Sequence, residues 1–103
     1  MDALRNRLAA VAASRQTITY DQLRGDLGLA GDLVPVLREL SESEDDAGRG
    51  LLTAVVVRDD TGRPGAGWFR LAASRGRDVG DPDRAWHAER DRLREVHAGA
   101  RDA

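Results

Sequence analysis

The stretch "LLTAVVVRDDTGRPGAGWFRLAAS", Leu51 to Ser74, decides how the rest of the chain is read. Leu51 to Val57 is too short for an independent helix and rich in β-branched residues, which argues for a strand. "DDTGRPGAG" is turn chemistry, and "WFRLA" reads as the returning strand of a hairpin. Leu52, Ala54 and Val56 fall on one face of the first strand, and Leu51, Val55 and Val57 on the other, so both faces are apolar. A hairpin covered on one side alternates with polar residues; here a second element has to cover the other face. The loop fails as a phosphate cradle. A Walker loop needs a lysine followed by a hydroxyl residue, and a dinucleotide fingerprint needs a strand before it and a helix after it. What is left is a hairpin tip presenting Arg63, with Arg58 and Arg70 on its flanking strands. That is the layout of a DNA-contacting wing and also of an ordinary solvated turn.

Upstream, Leu4, Leu8, Val11 and Ala12 recur at helical spacing between Asp2 and Ser14, while Arg5, Arg7 and Arg15 lie off that face. "TITY" offers a short extended segment ending at Thr19. "TYDQ" from Thr19 to Gln22 is a capping box that opens a second helix, with Tyr20, Leu23 and Leu27 at helical spacing and Gly28 placed as a left-handed cap. A third helix is expected from about Leu33 to Ser43, carrying Leu33, Val36, Leu37 and Leu40, with Pro35 in its first turn, where a missing amide costs little. "SESEDDAGRG" follows as an acidic loop. Downstream, Asp81 as cap and Pro82 at the first helical position start a last helix with Trp86, Leu93 and Val96 on one side.

Helix, short strand, helix, turn, helix and a two-stranded hairpin is the order of a winged helix-turn-helix domain. The expected fold class is therefore α+β and mainly helical: three helices plus a β-hairpin wing over residues 1–77, and an added C-terminal helix over 78–103. That helix packs on the hairpin, where Trp86 is the available cover for the second apolar face, or on a partner chain.

Composition bounds the function. A chain of 103 residues with 41% hydrophobic and 33% charged residues is long enough for one modest core. No run approaches the ~18 apolar residues of a membrane helix, and Asp2, Arg5 and Arg7 interrupt any signal-peptide-like block, so a cytoplasmic location and no membrane partner are expected. The absence of cysteine removes thiolate nucleophiles and cysteine-ligated zinc. His87 and His97 stand ten residues apart on the last helix, roughly 80° and about 15 Å from one another, too far to share a metal. "HAE" at His87 to Glu89 lacks the cysteine pair that deaminase chemistry requires, and Asp59 and Asp60 sit in turn sequence with nothing apolar to enclose them. No catalytic, metal or cofactor site is expected, and no enzyme.

"TITYDQLRGDLGL" followed by "LLTAVVVRDDTGRPGAGWF" resembles the DNA-binding domain of alkylguanine-DNA alkyltransferases and alkyltransferase-like proteins. Those carry a T-Y-x-x-L/I-A segment opening the first helix of a helix-turn-helix, and a later strand reading P-C-H-R-V or P-W-H-R-V before a glycine-containing turn. The chain also resembles a set of small uncharacterised bacterial proteins of the same layout. Thr19, Tyr20 and Leu23 match the alkyltransferase pattern, and the resemblance implies that Tyr20 contacts a nucleic-acid phosphate. The strand "LLTAVVV" departs from the pattern: it has no cysteine nucleophile, histidine or following arginine. The arginine that the family places early in its recognition helix falls near Asp32 and Leu33. Alkyl transfer is excluded, and base flipping loses its main support.

Charge is distributed unevenly. Residues 1–24 carry four arginines against two acids, 25–48 one against seven, 49–77 six against two, and 78–103 five against seven. All sixteen basic residues are arginine, a bias that suits phosphate binding and that a GC-rich coding sequence also produces. Backbone binding to nucleic acid needs clustered positive charge, yet the third helix offers Arg38 alone beside Glu39 and Glu42. Two readings stand. In the first, a regulatory or nucleic-acid-binding protein contacts double-stranded DNA through Arg58, Arg63 and Arg70 on the hairpin, Arg15 and Arg24 near the second helix, and Tyr20. In the second, an adaptor uses the acidic third helix or the last helix to bind another protein or a second copy of itself.

Overall fold

The protein is described here from a computed structural model, which covers the backbone of residues 2–102 and the side chains of residues 3–98. The elements run α1 (Asp2–Ala13), β1 (Ile18–Thr19), α2 (Tyr20–Leu27), α3 (Val34–Asp46), a 3-10 turn (Leu52–Val55), β2 (Val56–Val57), α4 (Ala66–Ser74) and α5 (Pro82–Asp102). The fold is mainly helical with one small sheet.

Local chemistry sets most helix ends. The Gln22 amide donates to Thr19 Oγ1 at 3.1 Å and the Thr19 amide to Gln22 Oε1 at 3.0 Å, so both halves of the capping box form. Gly28, at φ 64°, closes α2 in the left-handed region. The Asp32 carboxylate accepts the Val34 amide at 3.0 Å, and Pro35 lies in the first turn of α3. Asp81 accepts the Arg84 amide at 3.2 Å where α5 begins at Pro82.

The expected hairpin does not form. "WFRLA" lies within α4, because Trp68, Leu71 and Ala72 are spaced to share one helix face, all three are buried, and the alanines of this segment favour the helix. Leu51 to Val57 is extended only at Val56 and Val57. Two of its earlier amides go to side chains from distant elements: Leu51 N–H donates to Glu89 Oε2 at 2.9 Å and Thr53 N–H to Ser41 Oγ at 3.0 Å. With those donors used, Leu52 to Val55 winds into a 3-10 turn. β2 then pairs with β1 in parallel, Ile18 opposite Val56 and Thr19 opposite Val57. A parallel pair needs a long crossover, and α2 with α3 supplies it. Arg58 and Arg70 therefore do not flank a wing.

The core gathers Leu4, Leu8, Val11 and Ala12 of α1, Leu23 of α2, Leu37 and Leu40 of α3, the whole of Leu51 to Val57, and Trp68 and Leu71 of α4. α5 closes it by lying along α1 and the 3-10 turn, with Trp86 and Leu93 buried. The Trp86 indole donates to the Ala54 carbonyl at 2.8 Å, satisfying both groups inside the core. Val96, expected on the same face, is half-buried.

Charge is also taken into the interior. Glu44, 2% exposed, accepts from Arg5 and Arg49, and Arg77 joins Asp45 of α3 to Glu89 of α5. The hydrogen bond from Arg49 holds the Glu44 carboxyl below its ordinary range, with Arg5 adding to the effect, and Arg77 does the same for Asp45, aided by Arg75. Burial pushes the His97 imidazole down, as does the nearby Arg5.

Three stability measurements check this account. Thr19→Ala should cost about 1 kcal/mol in denaturant melts, the usual value of a lost cap. Trp86→Ala should cost ~3 kcal/mol or more, as large core truncations do. Glu44, Asp45 and His97 all have folded pKa values below their unfolded ones. Their contributions are therefore present above the unfolded values and are lost as pH falls through the folded ones. Urea melts should show stability declining first below about pH 6.5 through His97 and again below about pH 4 through the carboxylates. His97→Asn should remove only the first decline.

Candidate functional site

A cleft of about 860 Å³ opens between the α2–α3 pair and α4, floored by the 3-10 turn and β2. The capping box aims the first turn of α2 at it, which brings Tyr20 and Arg24 to one wall. α3 adds Val34, Leu37 and Arg38, the chain leaving β2 adds Arg58, and α4 brings Trp68, Arg70 and Leu71 to the facing wall.

Four of the six residues expected to contact nucleic acid thus line one cleft: Tyr20, Arg24, Arg58 and Arg70. The other two lie elsewhere. Arg63 pairs with Asp83 in the first turn of α5. Its loop closes on itself, Arg58 N–H donating to the Arg63 carbonyl and Gly62 N–H to the Arg58 carbonyl, each at 2.9 Å. Arg15 follows the end of α1 and lines a separate, smaller cavity against α5.

The cleft arginines differ in how far their charge is already used. Arg58 makes a two-pronged bond to Asp60, 3.0 and 2.8 Å long. Arg38 donates to Glu42 at 3.1 Å. Arg24 reaches the Gly31 carbonyl at 3.2 Å and lies 3.6 Å from Asp21. Arg70 is exposed and has no ion-pair partner among the described residues. An incoming anion meets a free guanidinium at Arg70 and has to compete at the other three.

Tyr20 is half-buried, and burial raises its phenol pKa against the opposing pull of Arg58 and Arg24. The hydroxyl therefore stays protonated at neutral pH and is available as a donor. Two further groups complete the walls. Thr53 Oγ1 shares a 2.5 Å hydrogen bond with Ser41 Oγ at the cleft floor. Trp68 is 8% exposed, and its indole Nε1 is buried with no partner among the described residues. The signal for Trp68 was the spacing to Leu71 and Ala72, which fits a helix as well as an apolar run fits a strand.

His97 is buried under the Glu44 cluster, whereas His87 is exposed and stacks on Trp86. Among the described residues no group of three or more histidine, aspartate or glutamate side chains is placed to hold a metal ion, and no helix is long and apolar enough to cross a membrane. Comparison with protein-family profiles, with curated proteins and with solved structures returns no match.

Tyr20 is the single tyrosine of the chain, so an ultraviolet absorbance titration reads one phenol. Its midpoint should lie above the ordinary value of about 10. Arg58→Ala should move it higher still, by removing the strongest cation that opposes the shift and leaving Asp60 unpaired. Because the folded pKa is the raised one, Tyr20 contributes stability below about pH 10 that is lost as pH climbs past it.

Proposed function

We propose that this chain is a small nucleic-acid-binding protein of helix-turn-helix type, in which α2, the Gly28 to Leu33 turn and α3 form the motif and the cleft receives the sugar–phosphate backbone of a duplex. The supporting observation is the convergence of Tyr20, Arg24, Arg58 and Arg70 from three separate segments on one concavity. Arg70 supplies an unpaired guanidinium, Tyr20 a neutral hydroxyl donor, and Arg24 and Arg58 cationic walls. Phosphate contacts of this kind position a protein without reading sequence. The resemblance to the alkyltransferase DNA-binding domain supports the same reading at Thr19, Tyr20 and Leu23, with the parallel β1–β2 pair and α4 where a hairpin wing was expected. A regulatory role in the cytoplasm is the biological setting in which such a protein acts.

A second reading has its own observation. Val34 is the exposed large apolar side chain of the described residues, at 54%, and the outer face of α3 behind it carries Glu39, Glu42 and Asp46. That surface repels phosphate and suits a protein partner, including a second copy of this chain.

Titration of a random duplex at several salt concentrations tests the two. Nucleic-acid binding should weaken linearly in log K against log salt. Arg70→Ala should weaken binding by a similar factor for all sequences and reduce the salt slope by about one unit. Tyr20→Phe should weaken it with little change in slope. Arg63→Ala should leave it unchanged, because that side chain does not line the cleft. No binding at low salt, with Glu39→Ala or Glu42→Ala altering self-association or a protein pull-down, would replace the first reading by the second.

A further inference from the structure

Val55 and Val56 are adjacent in the chain but line different cavities: Val56 the cleft, and Val55 a smaller one of about 210 Å³ between the end of α1 and α5. The polar part of its lining is Arg15, Gln16, His87, Arg90 and Asp91, two guanidiniums against one carboxylate. Two of these groups are held in place, Arg90 and His87. Trp86, fixed through its indole to the Ala54 carbonyl, carries the Arg90 guanidinium 5.0 Å from its ring centroid and the His87 imidazole stacked at 5.0 Å. Arg90 Nη2 also donates to the Arg15 carbonyl at 3.3 Å, which ties the two arginines together. Arg15 is the non-glycine residue of the described chain with positive φ, at 59°. Glycine fills such a position after a helix at lower conformational cost, so the arginine is there despite its backbone.

Unlike Arg24, Arg38 and Arg58 in the cleft, the Arg15 guanidinium has no ion pair or hydrogen bond among the described residues, and neither has the His87 imidazole. We infer that this cavity is a binding site for a phosphate group, with Arg15 and Arg90 as the paired donors and Gln16 and His87 completing the shell. The volume, about 210 Å³, has room for one tetrahedral oxyanion together with part of its hydration shell. Guanidiniums match that geometry with two parallel bonds each. The phosphate is either free or the exposed end of a nucleic-acid strand. The site does not depend on the cleft reading, because its probes contain no duplex.

Amide shifts of Arg15, Gln16, His87 and Arg90 should move saturably on titration with inorganic phosphate, at an ionic strength held constant with chloride. Arg15→Gly removes the guanidinium and relieves the backbone at once. It should keep or raise stability in melts and weaken phosphate binding about tenfold or more. Arg90→Gln should weaken it similarly. A short single strand with a 5′-phosphate, compared with the same strand lacking it, separates the two sources. Preference for the phosphorylated strand, lost in Arg15→Gly, assigns the site to a strand end. Equal behaviour of the strands with phosphate binding retained assigns it to the free anion. Unsaturable shifts with every probe, or undiminished affinity in both variants, would overturn the site.

Discussion

The Glu89 carboxylate holds the fold at the point where four segments meet. It is 4% exposed on α5, accepts the Leu51 amide at 2.9 Å and takes both prongs of Arg77, whose remaining donors reach Asp45 at the end of α3. A buried carboxylate left alone would be costly, whereas one with a guanidinium and a backbone amide is compensated. The compensation is also geometric. Gly50, at φ 95°, brings the backbone so close that a Cβ there would stand 2.9 Å from Glu89 Oε2. Only glycine permits both the left-handed turn and that approach. The segment Leu51 to Val57 is thereby fixed at its start by α5 and at its end by β1, and it enters the core along its whole length.

That double anchoring explains why both faces of "LLTAVVV" are apolar. Parallel strands buried on both sides read as continuous hydrophobic runs, and Val56 and Val57 are each 2% exposed. The need for a second cover was legible in the run itself, and so was Trp86 as its source. The form of the segment was not legible. The donors and acceptors that turn Leu52 to Val55 into a 3-10 turn, Ser41, Glu89 and the Trp86 indole, lie far away in the chain.

The same division between local and distant causes runs through the remaining elements. The Thr19–Gln22 box, the Gly28 cap, Pro35 in the first turn of α3 and the Asp81–Pro82 start of α5 are each decided within a few residues, and the sequence carries them openly. α4 offers little more than two turns, so Trp68 and Leu71 fit one helix face while "WFRLA" also fits a strand; packing over the cleft floor decides between them. Among the candidate site residues, Tyr20, Arg24, Arg58 and Arg70 meet because α2, the exit of β2 and α4 converge. Arg63 is removed from that set by Asp83, a carboxylate that no local pattern connects to it.

Ion pairing then shapes what the arginines can do. A chain with sixteen arginines and eighteen acids has the means to neutralise most of its cations internally, and Arg5, Arg49, Arg75 and Arg77 are spent on Glu44, Asp45, Asp46 and Glu89. Apart from Arg49–Glu44, which is local but buried at its carboxylate, those pairs join distant segments and belong to the fold. The pairs in the cleft are of another kind: Arg24 with Asp21, Arg38 with Glu42 and Arg58 with Asp60 join near neighbours on exposed surface, where each contributes little to stability. A phosphate can displace such a carboxylate at small cost, since the arginine keeps a partner throughout the exchange. The cleft pairs are local and exposed, while Arg70 and Arg15 face solvent with no ion-pair partner among the described residues.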